Sequence, residues 1–144
     1  MNSEPYVRKI NYYETDQMQV VHHSNYARFL EECRLWVMEK AGLPYDLMEE
    51  KGVIIPVLTL DCEFIGAVHF GDTIEIYSHV TKLTPVRFSL CYEIYVNGTL
   101  VNRSRTSHGF VDTEFKPMNM KKKYPDMYEK MMQLVEPEYD IKEK

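Results

Sequence analysis

The feature that most constrains this chain is the run YYETDQMQVVHHSNYARFLEECRLWVMEKAG, residues 12–42, where a polar loop feeds directly into a helical pattern. Tyr26, Phe29, Leu30, Cys33, Trp36, Val37 and Ala41 recur at helical spacing, and Arg28, Glu31, Glu32, Glu39 and Lys40 fall elsewhere on the surface. The spacing predicts one helix over 25–41 with a wide apolar face, and it puts Trp36 in the core beside Phe29 and Cys33. Ser24 or Asn25 can cap the first turn through a side-chain oxygen, and Gly42 followed by Pro44 marks the stop. A junction between a polar loop and a helix start is a natural place for a site.

Beyond the helix the period changes. PYVRKINYY (5–13) reads as a first strand, and PYDLMEEKG (44–52) as a short helix with Pro at its start and Gly past its end. VIIPVLTLDCEFI (53–65) and TIEIYSHVTKL (73–83) are rich in strand formers, with Gly66, Gly71 and Asp72 breaking the chain between them. VRFSLCYEIYV (86–96), the turn pair Asn97-Gly98 and TLVNRSRTSHGFVD (99–112) form the clearest hairpin, and 124–134 can close the chain as a last helix. Connections this short require an antiparallel sheet, so the expectation is a two-layer α+β domain over 1–144 with the sheet wrapped around one long helix. One detail resists it. A two-residue turn pairs Val96 with Thr99 and Tyr92 with Arg103, so the apolar row Val86, Phe88, Leu90, Tyr92, Ile94 would share a face with Arg103 and Arg105. Either a bulge shifts the register, or that face is not the helix-facing one and packs on another subunit.

Composition narrows the function classes. A chain of 144 residues with 44% hydrophobic content supports one core. No apolar run reaches the length of a membrane span and MNSEPYVRK lacks the apolar stretch of a secretory signal, so the expected location is the cytoplasm. A formal net charge of −5 argues against a nucleic-acid partner, and only Lys121, Lys122 and Lys123 form a basic run. Cys33, Cys62 and Cys91 are far apart among apolar neighbours and read as buried reduced thiols. His22 and His23 with Asp16 offer a metal set in composition, but adjacent side chains diverge, so no metal and no other cofactor is expected.

The run from Tyr12 through Glu14-Thr15-Asp16 to Val20-Val21-His22-His23-Ser24-Asn25-Tyr26 resembles the signature of hotdog-fold acyl-CoA thioesterases, nearest to 4-hydroxybenzoyl-CoA thioesterase and the Tol-Pal-associated thioesterases. Gly71-Asp72, Asp112 and Lys116-Pro117 sit where that family has similar residues. The family loop carries Gly where this chain reads Gln17-Met18-Gln19; Glu14 replaces an Asp and His22 a Tyr. The resemblance implies a hotdog fold, acyl-CoA as substrate, and a homodimer or homotetramer with the site at the subunit interface. It implies Asp16 as general base or nucleophile and the His23 amide as main oxyanion donor. Ser24 and Asn25 belong to the same substrate-binding turn, and Tyr12 and the His23 side chain orient the carboxylate and meet the thioester. A thioester carbonyl needs such amides, which a helix start presents with positive dipole. Two other readings stay open: an acyl carrier protein as thioester donor, and a non-catalytic hotdog module that binds acyl groups.

Overall fold

The computed structural model describes residues 4–140. Helix α1 (Tyr26–Lys40) and a short α2 (Tyr45–Glu50) follow strand β1 (Tyr6–Lys9). Strands β2 (Val57–Phe64), β3 (Thr73–Leu83), β4 (Arg87–Val96) and β5 (Thr99–Gly109) come next, then α3 (Met120–Lys123) and α4 (Pro125–Met132). The five strands form one antiparallel sheet in the order β1-β3-β4-β5-β2. The expected α+β hotdog architecture is therefore present. Phe29, Leu30, Cys33, Val37 and Met38 of α1 join Ile74, Ile76, Phe88, Leu90, Tyr92 and Ile94 of the sheet in one buried core.

The hairpin shows how the register conflict is resolved. Asn97 and Gly98 take φ of 50° and 78°, as a tight primed turn requires. Val96 pairs with Thr99 and Tyr95 with Leu100, but Ile94 then pairs with Asn102, so Val101 is the extra residue of a β-bulge. Tyr92 consequently faces Ser104, not Arg103. Arg103 and Arg105 move to the outer face opposite Glu93 and Cys91, and the inner face keeps its apolar row.

Other elements differ from the sequence reading. The first strand stops at Lys9, because residues 12–14 form a 3-10 turn tied by the Glu14 carboxylate, which accepts from the Asn11 amide at 2.9 Å. Strand β2 begins only at Val57, after Pro56, which has no N–H to donate. The last helix, α4, lies within the expected 124–134, and the short α3 precedes it, ending before Pro125. No side chain caps α1: Asn25 is itself helical, and a 3-10 turn over His23–Asn25 leads into the helix, whose C-terminal stop is Gly42 at φ 86°. Trp36 lies on the flank of α1 and is only partly buried, its ring 5.7 Å from that of Tyr6 and covered by Lys40 Nζ at 4.4 Å. Of the three thiols only Cys33 is fully buried; Cys62 lies on the edge strand and Cys91 on the outer face, and all three are free. After α4 the chain crosses that outer face, where the Glu136 carboxylate meets His79 Nδ1 at 2.7 Å and Tyr139 stacks on the same imidazole.

Candidate active site

The polar loop is held from below by Glu14. Its carboxylate takes both Arg8 NH groups, at 2.7 and 2.9 Å, and its carbonyl accepts from the His22 amide at 3.0 Å and from Asn25 Nδ2 at 2.9 Å. Burial opposes the charge on Glu14, but the Arg8 guanidinium and the Asn11 amide outweigh it and hold this carboxyl below its usual range. A single buried residue thus pins the start of the loop to the start of the helix.

Above that anchor the loop doubles back on itself. Asp16 N–H donates to the Val20 carbonyl and Gln19 N–H to the Asp16 carbonyl, both at 2.9 Å. Asp16 Oδ1 accepts from the Met18 amide at 2.9 Å and the Val20 amide at 3.3 Å, which completes an Asx turn. Gln19 sits at φ 64°, the left-handed conformation that glycine adopts freely. The loop thus makes this turn without a glycine, at the expense of local strain.

Asp16 and His23 then line one cleft of about 380 Å³, with Val20, Val21, His22 and Tyr26 on their side and Phe64, Ile65, Gly66 and Ala67 on the other. The second wall was missed in the sequence, where Gly66 read only as a chain break; the small pair Gly66-Ala67 after a strand was the available signal. Phe64 packs edge-on to Tyr26 at 5.1 Å and to His23 at 6.5 Å. Burial, with Cys62 adding to it, pushes the Tyr26 phenol up to about 12, so it stays neutral.

The expected site residues divide. The His23 N–H has no acceptor among the described residues, which leaves it available to an oxyanion. The Ser24 amide is committed to His22 Nδ1 at 3.2 Å, and the Asn25 amide to the His22 carbonyl at 3.0 Å. Ser24 Oγ also meets His22 Nδ1, at 2.8 Å, while the Asn25 side chain is buried against Glu14. Tyr12 is 67% exposed and outside the cleft lining, its ring edge-on to Phe70 at 5.5 Å. The His22 and His23 rings do not diverge; they stack at 4.3 Å, because the 3-10 turn that begins at His23 brings them side by side. Among the described residues no three His, Cys, Asp or Glu side chains gather as a metal set, and no helix is long and apolar enough to cross a membrane.

YneP of Bacillus subtilis, described as a candidate acyl-CoA thioesterase, is 34% identical over 122 residues, covering 83% of this chain and 88% of its own. A DHNA-CoA thioesterase structure from Staphylococcus aureus superposes with a TM-score of 0.87 at 29% identity, over 90% of this chain and 89% of that one. A structure from Thermus thermophilus, the hypothetical protein TT1821, gives a TM-score of 0.85 at 32% identity, over 91% and 98%. The profile of the thioesterase-like superfamily matches residues 10–134, a span that holds the loop, the helix and the whole sheet beyond β1, so the chain belongs to that superfamily and is a thioester hydrolase of hotdog fold.

Proposed function

We propose that the chain hydrolyses an acyl-CoA thioester, with Asp16 and His23 acting at the cleft they share. The convergence of a carboxylate and an uncommitted amide on one cleft at a helix start supports this reading. The Asx turn engages Oδ1 of Asp16, and Oδ2 has no hydrogen bond among the described residues. As general base, Asp16 takes a proton from water while the water oxygen bonds to the thioester carbon. As nucleophile, it bonds to that carbon itself and water opens the acyl anhydride. In both routes the C–S bond breaks, CoA leaves as thiolate, and the carbonyl oxygen's negative charge is met by the His23 N–H and the positive end of α1. The Asx turn, rather than Tyr12, orients the carboxylate. Ser24 and Asn25 act by fixing His22 and Glu14, which set the turn that presents the His23 amide.

The same reading includes a homodimer. Strand β2 is a sheet edge whose Val57, Leu58, Leu60 and Phe64 are 45–57% exposed, and an apolar open edge calls for a second copy. A homotetramer would add the outer face, where Arg103 on β5 stands opposite Glu93 on β4 and Arg105 opposite Cys91. Lys122 and Lys123 line a second cleft of about 400 Å³ that suits the phosphates of CoA. The free thiols fit a cytoplasmic location.

The test is a panel of acyl-CoAs of graded length plus one aromatic thioester, with released thiol read by a colorimetric disulfide reagent. The same acyl groups on acyl carrier protein identify the donor. Turnover of at least one thioester is expected, and inactivity on all of them would favour the acyl-binding module.

A further inference from the structure

Arg34 plays no part in the hydrolytic cleft, yet it is buried close to it. Tyr26, Leu30 and Arg34 follow one another at one-turn spacing, so they share a face of α1 and Arg34 stands about 12 Å along the helix from Tyr26. Only 7% of Arg34 is exposed, and among the described residues it makes no hydrogen bond, ion pair or cation–π contact. A guanidinium carries five donors and no acceptor, and none of the Arg34 nitrogens is fully enclosed, so an anion can reach a head whose stem is buried.

The strand facing it is also unusual. Asn102, Ser104, Thr106 and His108 alternate on the inner face of β5, all buried where a core strand would carry apolar residues. Tyr92 Oη and His108 Nε2 both meet Thr106 Oγ1, at 2.9 and 2.8 Å, whereas Asn102 Nδ2 is fully buried without a partner. Arg34 is close enough for its charge to act on both Tyr92 and His108, and burial together with that charge keeps His108 neutral. The row therefore carries donors and a cation but no anion.

An apolar strip connects this place to the cleft. Phe64, Cys62 and Leu60 of β2 pair with Asn102, Ser104 and Thr106 and share their inner face, and Phe64 and Leu60 are about half exposed. Phe64 lies against Tyr26 at the cleft; Leu60 lies beside Thr106, level with the Tyr92 hydroxyl that Arg34 acts on. We propose that this strip takes the acyl chain and that Arg34 binds a carboxylate at its far end, beside Leu60 and Thr106, so that the substrates are ω-carboxyacyl thioesters. The proposal rests on the thioesterase reading of the cleft and names the class of acyl group it serves.

Two measurements test it on the full-length protein. The first compares kcat/KM for ω-carboxyacyl-CoA and alkyl acyl-CoA of matched length in wild type, Arg34→Met and Arg34→Lys. Wild type should prefer the carboxylate-ended series by about 10–100-fold, the range expected for one charged hydrogen-bonded contact. Arg34→Met should bring that ratio to about one, and Arg34→Lys should restore part of it. The second measures binding of non-hydrolysable thioether analogues, ω-carboxyalkyl-CoA against alkyl-CoA, by calorimetry, and the same Arg34-dependent ratio should appear there. Equal ratios in wild type and Arg34→Met would overturn the proposal. So would a mass change in Arg34→Met that Arg34→Lys reverses without any effect on selectivity, since Arg34 would then pair with a second copy. No turnover of any thioester would overturn the hydrolase reading instead, and the thioether binding would still decide the role of Arg34.

Discussion

Asp16 and Val20 are bound to each other twice: the Asp16 N–H donates to the Val20 carbonyl at 2.9 Å, and Asp16 Oδ1 accepts from the Val20 amide at 3.3 Å. The carboxylate is therefore fixed by its own loop, without help from a neighbouring side chain. Asp16→Asn keeps an Oδ1 acceptor for the Met18 and Val20 amides, so fold and assembly should survive. It cannot take a proton or attack a carbonyl, and turnover should drop about 10²–10⁴-fold, or further if Asp16 is the nucleophile. A non-hydrolysable acyl-CoA analogue should still bind. Wild-type turnover by a folded Asp16→Asn protein would remove Asp16 from the chemistry.

The loop that carries this turn holds Gln19 in a left-handed conformation, which costs an L side chain about 1–2 kcal/mol. Gln19→Gly releases the strain but adds backbone freedom to the unfolded chain, so the net gain should be at most about 1 kcal/mol. The expected result is a small rise in Tm with the hydrogen bonds of Asp16 intact. A clear loss of stability would mean that the Gln19 side chain has a role the backbone angle does not show.

Legibility in the sequence followed the range of the interactions. Helix α1 and the Asn97-Gly98 turn were readable because spacing and turn chemistry act over a few residues. The nearness of Asp16 to His23 was readable because one short motif spans both. The bulge at Val101 was not, since the turn alone favours unbroken pairing and only the need to bury Tyr92 and Ile94 while exposing Arg103 shifts it. Phe64 to Ala67 were not, because they reach the cleft by sheet topology from some forty residues away. Trp36 was misplaced for a similar reason: its helical position alone did not tell that it would sit at the margin of the core, covered by Tyr6 of the edge strand β1 and by Lys40.

That placement changes the expected cost of losing the indole. Full burial would make Trp36→Ala cost about 3–5 kcal/mol, but a flank position packed on Tyr6 and under Lys40 should cost only about 1–2 kcal/mol. Denaturant unfolding of the two proteins at neutral pH measures the difference. A loss above about 3 kcal/mol would return Trp36 to the core.

Assembly through β2 predicts that a charge on the open edge breaks the dimer. Leu60 is 49% exposed in the single chain, so Leu60→Asp should leave the fold intact and lower the mass seen by light scattering to that of one chain. A wild-type protein that is already monomeric at micromolar concentration would count against the edge as an interface.

The last prediction concerns acid stability and a single buried imidazole. Burial first, and then the Arg34 charge, hold His108 down to about 3 from the usual 6.5. The folded protein keeps it neutral while the unfolded chain protonates it, so between pH 6.5 and about 3 the unfolded state binds more protons. By linkage the contribution is fully present above pH 6.5 and is lost as pH falls through that window, by at most about 1.4 kcal/mol per pH unit. Glu14, whose carboxyl is held low, loses its own contribution only at more acid pH, below the usual carboxylate range. The interval from pH 6.5 to 5 therefore separates the two. His108→Gln removes the titration, so its stability should fall less steeply than wild type across that interval, whatever the offset at neutral pH. Urea unfolding at pH 7, 6 and 5 for both proteins gives the two slopes. Parallel curves would mean that His108 takes up its proton while folded, and that the polar row beneath Arg34 is open to solvent rather than closed.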